Sequence, residues 1–288
     1  MFVLKVLLYA AAALILSTAC TGTLLFRYEA ANAAPSRIPP PRGGAVSCIL
    51  QFLRTLPEYA LCLGLLPFGP LIRRFCERKL PPGAEEKGRG LPPLVFVHGI
   101  YNNASCWLYL AHVLRNRGFR VRFFTYSSSE TLETVAADLD AFLRRRKLPG
   151  EKPPLLVAHS MGGLVARLFL LGEPTGACGL ITLGTPHAGS KSAALLAGTQ
   201  ARSLTPGSEI LQRLARSGPP EIPCVSLAAT LDQAVLPPAS LEPPEGWRLR
   251  IIGSAAGHYS MLFCPATAAD LLQEADRIAA PDAGDRPA

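Results

Sequence analysis

Leu155-Leu156-Val157-Ala158-His159-Ser160-Met161-Gly162-Gly163-Leu164 sets a serine between an uninterrupted apolar run and two glycines. The run Leu155 to Ala158 has the length and continuity of a strand buried on both faces. A helix is expected over Met161 to Leu171. A strand that turns at once into a helix leaves its turn residue strained and exposed above the sheet edge, and only small neighbours let the backbone pass. Ala158 and Gly162 hold those neighbouring places around Ser160. Alanine stands where a glycine is usual, a change the steric logic tolerates because alanine is still small. Ser160 is therefore expected to be a nucleophile at a sharp elbow rather than a helix cap.

The pattern repeats outward from this segment. From Leu91 onward short apolar runs alternate with helical periodicity, with strands expected at Leu94 to Val97, Phe119 to Tyr126, Leu180 to Leu183, Cys224 to Ala228 and Leu249 to Gly253. Helices are expected at Ser105 to Arg117, Thr131 to Arg146, Ser208 to Arg216 and Ala268 to Ala279. Between Thr131 and Arg146, Leu132, Val135, Ala136, Leu139, Phe142 and Leu143 share one face. Strands alternating with helices imply an α/β fold, a mostly parallel sheet with helices on both faces.

A serine hydroxyl is too weak a nucleophile alone; it needs a base, and the base needs an orienting carboxylate. Of His98, His112, His159, His187 and His258, the last follows the final expected strand in GHYSML and can reach the sheet edge. Asp232 follows the strand at Cys224 to Ala228, whereas Asp138 and Asp140 fall on a helix. The oxyanion of an attacked carbonyl needs fixed donors. The N–H of Met161, at the start of the helix after the elbow, supplies one, and the N–H of Ile100, after His98-Gly99, the other. His98 and His187 read as loop-ordering residues and His112 as a helix-surface one, while His159 has no evident proton to carry. Tyr101, Trp107 and Leu236 are candidates for an acyl pocket.

These segments, in this order, resemble the bacterial lipase and esterase branch of the α/β-hydrolases, including relatives of the inositol-deacylase type. The likeness rests on FVHGI at 96–100, AHSMGGLVAR at 158–167, TLGTPHAGS at 182–190, LTPGSEILQRL at 204–214, the segment around Asp232, and GHYSML at 257–262. It implies an α/β-hydrolase fold over residues 91–280 and serine hydrolysis of carboxylic esters through an acyl-enzyme on Ser160. No metal or organic cofactor is implied. The same residues could pass the acyl group to an alcohol or amine instead of water. A hydrolase fold kept only as a membrane-tethered binding module would not need the full set Ser160, Asp232 and His258.

The rest of the chain is apolar and basic. Val6 to Phe26 is 21 residues without a charge, about 32 Å as a helix against a hydrocarbon core of about 30 Å. Ser17-Thr18-Ala19 offers a small-residue cleavage site, but apolar character resumes at Leu24-Leu25-Phe26, past where a signal peptide should end, so an uncleaved anchor in residues 1–34 is expected. Residues 35–44 form a proline-rich linker, opening a juxtamembrane region that runs to residue 90. A second apolar stretch, 45–72, is interrupted by Arg54, Pro57 and Glu58, which favours an interfacial helix over a span. With one span the catalytic domain would be extracytoplasmic; a second would move it to the cytoplasmic side. Residues 281–288 read as a disordered tail.

Five of the eight net positive charges lie beside these apolar segments: residues 37–90 carry nine basic and four acidic side chains, residues 91–288 eighteen and sixteen. That distribution suits anionic lipid, and the absence of a basic stripe interleaved with aromatics leaves nucleic acid without a binding surface. Eight scattered cysteines without a C-x-x-C pair read as free thiols rather than metal ligands. The expected partners are a lipid or acyl-ester substrate and a membrane; oligomeric state is silent.

Overall fold

The computed structural model describes residues 2–33, 35–39, 45–88, 90–147, 150–172, 176–252 and 256–279. The expected tail at 281–288 and half of the proline-rich stretch lie outside the described residues.

The apolar runs form six parallel strands: β1 (Leu94–Val97), β2 (Val121–Phe124), β3 (Leu155–His159), β4 (Gly179–Leu183), β5 (Cys224–Ala229) and β6 (Arg248–Ile252), in the spatial order β2-β1-β3-β4-β5-β6. The order reverses between β1 and β3, and in an open parallel sheet the crevice beyond the carboxyl ends at such a point is where ligands bind.

Side-chain alternation splits the core in two. Leu94, Phe96, Leu155 and Val157 face α5 (Leu108–Arg117) and α10 (Pro265–Ala279), while Val95, Val97, Leu156 and Ala158 face α6 (Leu132–Arg146), α7 (Met161–Gly172) and α9 (Glu209–Arg216). Each such aliphatic or aromatic side chain, fully buried, stabilises the fold by roughly 1.5–3 kcal/mol. Helices α6 and α9 start at Thr131 and Ser208, whose hydroxyls accept from the backbone N–H groups of Thr134 and Leu211. A short helix α8 (Gly198–Ser203) precedes α9.

Two long helices precede the sheet, α1 (Phe2–Ala31) and α2 (Ala45–Leu65). The stretch interrupted in sequence by Arg54, Pro57 and Glu58 is helical throughout: α2 runs through these residues and continues by a 3-10 turn into α3 (Gly69–Cys76), followed by the single turn α4 (Ala84–Lys87). By length and composition, Lys5–Ala31 and Ala45–Cys76 could each cross a membrane. Of the two charged residues, Arg54 is exposed and Glu58 is buried against the protein. Gln51, Thr55 and Glu58, at helical spacing, point into the protein, while Val46, Ile49, Leu50 and Leu53 point out. That is the reverse of a water-soluble surface helix.

These helices are tied to the domain. Glu29 pairs with Lys191 at 2.9 Å and Arg37 with Glu242 at 3.2 Å, and Ile38 packs with Ala228, Val235 and Leu241. The segment 35–39, for all its proline and arginine neighbours, therefore lies against the domain. Among the described residues no disulfide joins any of the eight cysteines.

Candidate active site

Ser160 sits between β3 and α7 with φ +54°, a left-handed conformation that costs a non-glycine residue about 1–3 kcal/mol. The surroundings over-determine that strain. Ser160 N–H donates to Leu183 O at 2.8 Å, and its carbonyl accepts from Thr185 Oγ1 at 2.9 Å. A Cβ on Gly162 would stand 2.5 Å from the carbonyl oxygens of Val97 and His98, so the elbow closes over β1 only with glycine there.

His258 and Asp232 converge on this serine from the ends of β6 and β5. His258 Nε2 lies 3.0 Å from Ser160 Oγ, and His258 Nδ1 lies 2.7 Å from Asp232 Oδ2. Asp232 is fully buried, and its other oxygen accepts the N–H groups of Ala234 and Val235, both at 3.0 Å. The carboxylate is thus locked by backbone donors and can only turn its Oδ2 toward the imidazole. Asp140 instead pairs with Arg144 on α6, away from the site.

Two residues expected to bind an oxyanion flank Ser160. Met161 is the first residue of α7, where a helix leaves N–H groups without intrahelical partners and the dipole favours negative charge. Ile100 lies on the loop after β1, which crosses so closely over the serine that a Cβ on Gly99 would be 2.9 Å from Ser160 Cβ. His98 shapes this loop. Its ring stacks on Tyr126 with centroids 4.2 Å apart, Nδ1 reaches Gly99 O at 2.8 Å and Nε2 accepts Tyr126 N–H at 3.4 Å. Burial pushes its pKa down to about 4, so the ring is neutral and the Nδ1–H tautomer fits both contacts.

The other histidines divide as follows. His187 is buried between Ser226, Arg167 and Trp247, with burial and the Arg167 charge holding its pKa well below the usual range. His112 is an exposed residue on α5. His159 has a task that its sequence context does not reveal. Its Nε2 lies 3.0 Å from the carbonyl oxygen of His258 and its ring packs 4.7 Å from the His258 ring. Burial, with His258 alongside, lowers its pKa well below normal, so it serves as a neutral donor that fixes the backbone of His258.

Glu58 is the residue least visible beforehand. From α2 it accepts Ser260 Oγ at 2.7 Å, the N–H of Ser260 at 3.3 Å, that of Tyr259 at 3.4 Å and Gln233 Nε2 at 3.4 Å. One carboxylate thereby grips the loop just after His258 and the residue just after Asp232. The signal available in sequence was the stripe Gln51, Thr55, Glu58, polar at helical spacing within an apolar helix.

Ser160 and His258 open into a cleft of about 410 Å³ with a mainly apolar lining that includes Ile100, Tyr101 and Leu236. Trp107 is not part of it: its ring is buried against Phe96, 4.6 Å between centroids, in the core under α5. A larger cleft of about 580 Å³, lined in part by Arg78, Lys79, Arg115 and Arg120, is separate from Ser160.

The profile of the Alpha/beta hydrolase family matches residues 94–286. The chain belongs to the alpha/beta hydrolase family. Among solved alpha/beta hydrolase structures it resembles Aspergillus fumigatus lipase B, at 15% identity and a TM-score of 0.57 over 68% of this chain and 55% of that one. The mature Bacillus licheniformis lipase BlEst2 matches at 23% identity and a TM-score of 0.45, over 53% of this chain and 68% of that one. A curated Saccharomyces cerevisiae protein described as a "Probable alcohol acetyltransferase" is 29% identical over 103 residues, 31% of this chain and 29% of that protein. The chain thus matches less than a third of that relative's length.

Proposed function

We propose that this alpha/beta hydrolase is a membrane-associated serine hydrolase that cleaves carboxylic esters. The observation that carries the reading is the unbroken line from Ser160 Oγ through His258 to Asp232, with contacts of 3.0 and 2.7 Å, at the floor of an apolar cleft. His258 Nε2 takes the hydroxyl proton as Ser160 Oγ bonds to the ester carbonyl carbon. Asp232 holds the Nδ1–H tautomer and favours the imidazolium that forms. The N–H groups of Ile100 and Met161 bind the oxyanion. His258 then gives its proton to the leaving alkoxide, an acyl-enzyme remains, and the same residues run the sequence again with water to release the carboxylic acid.

Membrane association rests on the exposed apolar residues of α1 and on the inverted polarity of α2. α2 uses its polar face to hold the domain, whereas the first turns of α1 leave Val6, Leu7, Leu8 and Tyr9 exposed, so α1 is the better anchor for a catalytic domain over residues 91–280. The test is labelling of the full chain with a fluorophosphonate, alone and as Ser160→Ala, followed by hydrolysis of p-nitrophenyl esters. Labelling abolished by the substitution and release of free acid support the reading. A folded chain that neither labels nor hydrolyses any ester sinks it.

The likeness to the yeast protein described as a probable alcohol acetyltransferase favours a second reading, acyl transfer to an alcohol. The two diverge only after the acyl-enzyme has formed. Product analysis in the presence of a primary alcohol separates them, since a new ester marks transfer and free acid alone marks hydrolysis.

A further inference from the structure

One wall of the cleft above Ser160 is built by the apolar helix itself. Leu14, Thr18, Thr21, Gly22 and Leu25 of α1 line it, facing Ala193, Leu195 and Val235 of the domain. The outer side of the same helix is apolar and bare, with Leu16 54% and Leu24 60% exposed. At the rim, Tyr101, Leu195 and Leu196 are exposed as well. An apolar path therefore runs from the surface of α1, over the rim, to the serine.

Helix length determines where that path opens. The turns of α1 that precede Leu14 are only about 18 Å long at 1.5 Å per residue, short of the roughly 30 Å hydrocarbon core. A helix that both enters the bilayer and lines the cleft must bring the cleft mouth to the bilayer with it. The outward face of α2, from Val46 to Leu61, and of α3, at Leu71 and Phe75, presents further exposed apolar side chains. Water is a poor solvent for all of these surfaces, and lipid is a good one.

We infer that α1 is the acyl-binding wall of the site as well as an anchor: Thr18, Thr21 and their neighbours hold the acyl chain of a lipid ester taken directly from the bilayer, and so set chain-length preference. The inference rests on the ester-hydrolase reading. Thr18 and Thr21 line the cleft without being buried, so bulk can be added there without overpacking a core. Leu24, on the outer side, is the control.

The experiment uses the full chain in lipid nanodiscs and the ratio of kcat/KM for p-nitrophenyl palmitate over p-nitrophenyl butyrate. Thr18→Phe and Thr21→Phe should lower the ratio at least about tenfold, as expected for an apolar subsite shortened by a methylene or more, while Leu24→Phe leaves it unchanged. A second measurement needs no substitution. A long-chain alkyl fluorophosphonate with a terminal diazirine, once attached to Ser160, should cross-link to residues 14–25 on illumination. Unchanged ratios with cross-links confined to the domain loops, in a chain that labels normally, would overturn the inference alone. A wild-type chain that takes up no fluorophosphonate in nanodiscs would remove the ester-hydrolase reading and the inference with it.

Discussion

Glu58 on helix α2 accepts the hydroxyl of Ser260 at 2.7 Å, two residues beyond His258, so the apolar N-terminal region and the loop that carries His258 are held by one carboxylate. Removing it strands the hydroxyl of Ser260 and the N–H groups of Tyr259 and Ser260 against apolar surroundings. Each buried polar group left without a partner costs about 1–3 kcal/mol.

Glu58→Ala should therefore lower esterase kcat by roughly one to two orders of magnitude through misplacement of His258, with little change in KM. Glu58→Gln keeps an acceptor oxygen for Ser260 and should recover most of that loss. A purely structural role predicts a different outcome: less active protein at unchanged kcat per labelled serine, which active-site titration with a fluorophosphonate would reveal.

Asp232 offers a sharper test of the hydrogen-bonded line. Asp232→Asn preserves shape and can still accept from Ala234 and Val235 N–H, but it presents an N–H to His258 and so favours the wrong tautomer. The expected result is a fall in kcat of about 10⁴-fold with KM within a few-fold. Rates near wild type would mean that another group orients the base.

Much of this was legible because it is local. The strand Leu94 to Val97 has the bounds its apolar run suggested, a helix does begin beside Ser208, and the elbow follows from small residues on both sides of Ser160. Ser160, Asp232 and His258 meet because each follows a strand at the same sheet edge, a placement legible in the order of the apolar runs. Glu58 and His159 could not, since each acts through a contact 99 or more residues away in the chain. Arg54 and Glu58 interrupt the apolar stretch 45–72 alike in sequence, yet Arg54 is exposed while Glu58, with Gln51 and Thr55, faces the protein from a helix whose outer side is mostly apolar.

The two small positions of the elbow should behave unequally. Gly162→Ala drives a Cβ to 2.5 Å from two carbonyl oxygens of β1 and the loop after it, rigid backbone that cannot yield cheaply. The expected result is loss of soluble folded protein, or an unfolding midpoint lowered by several degrees with labelling of Ser160 nearly abolished. Ala158→Gly removes one buried methyl and should cost only about 1 kcal/mol while the chain still labels. Equal damage from both substitutions, measured by thermal melts and labelling, would argue against backbone crowding as the reason for Gly162.

Acid should unfold the domain through its buried histidines. His98, His159 and His187 all have pKa values lowered by burial, His98 to about 4 against an unfolded value of about 6.5. Because the unfolded chain then binds protons more readily, the stability from keeping His98 neutral is fully present above about pH 6.5. It declines as pH falls toward about 4, by up to roughly 3 kcal/mol for this residue. His98→Gln titrates nowhere in that window, and its amide can still bridge toward the Gly99 carbonyl. Its melting temperature should start lower at pH 7 yet fall less steeply between pH 6.5 and 4.5 than that of the wild type. Parallel pH profiles for the two proteins would mean that His98 is not kept neutral by the fold.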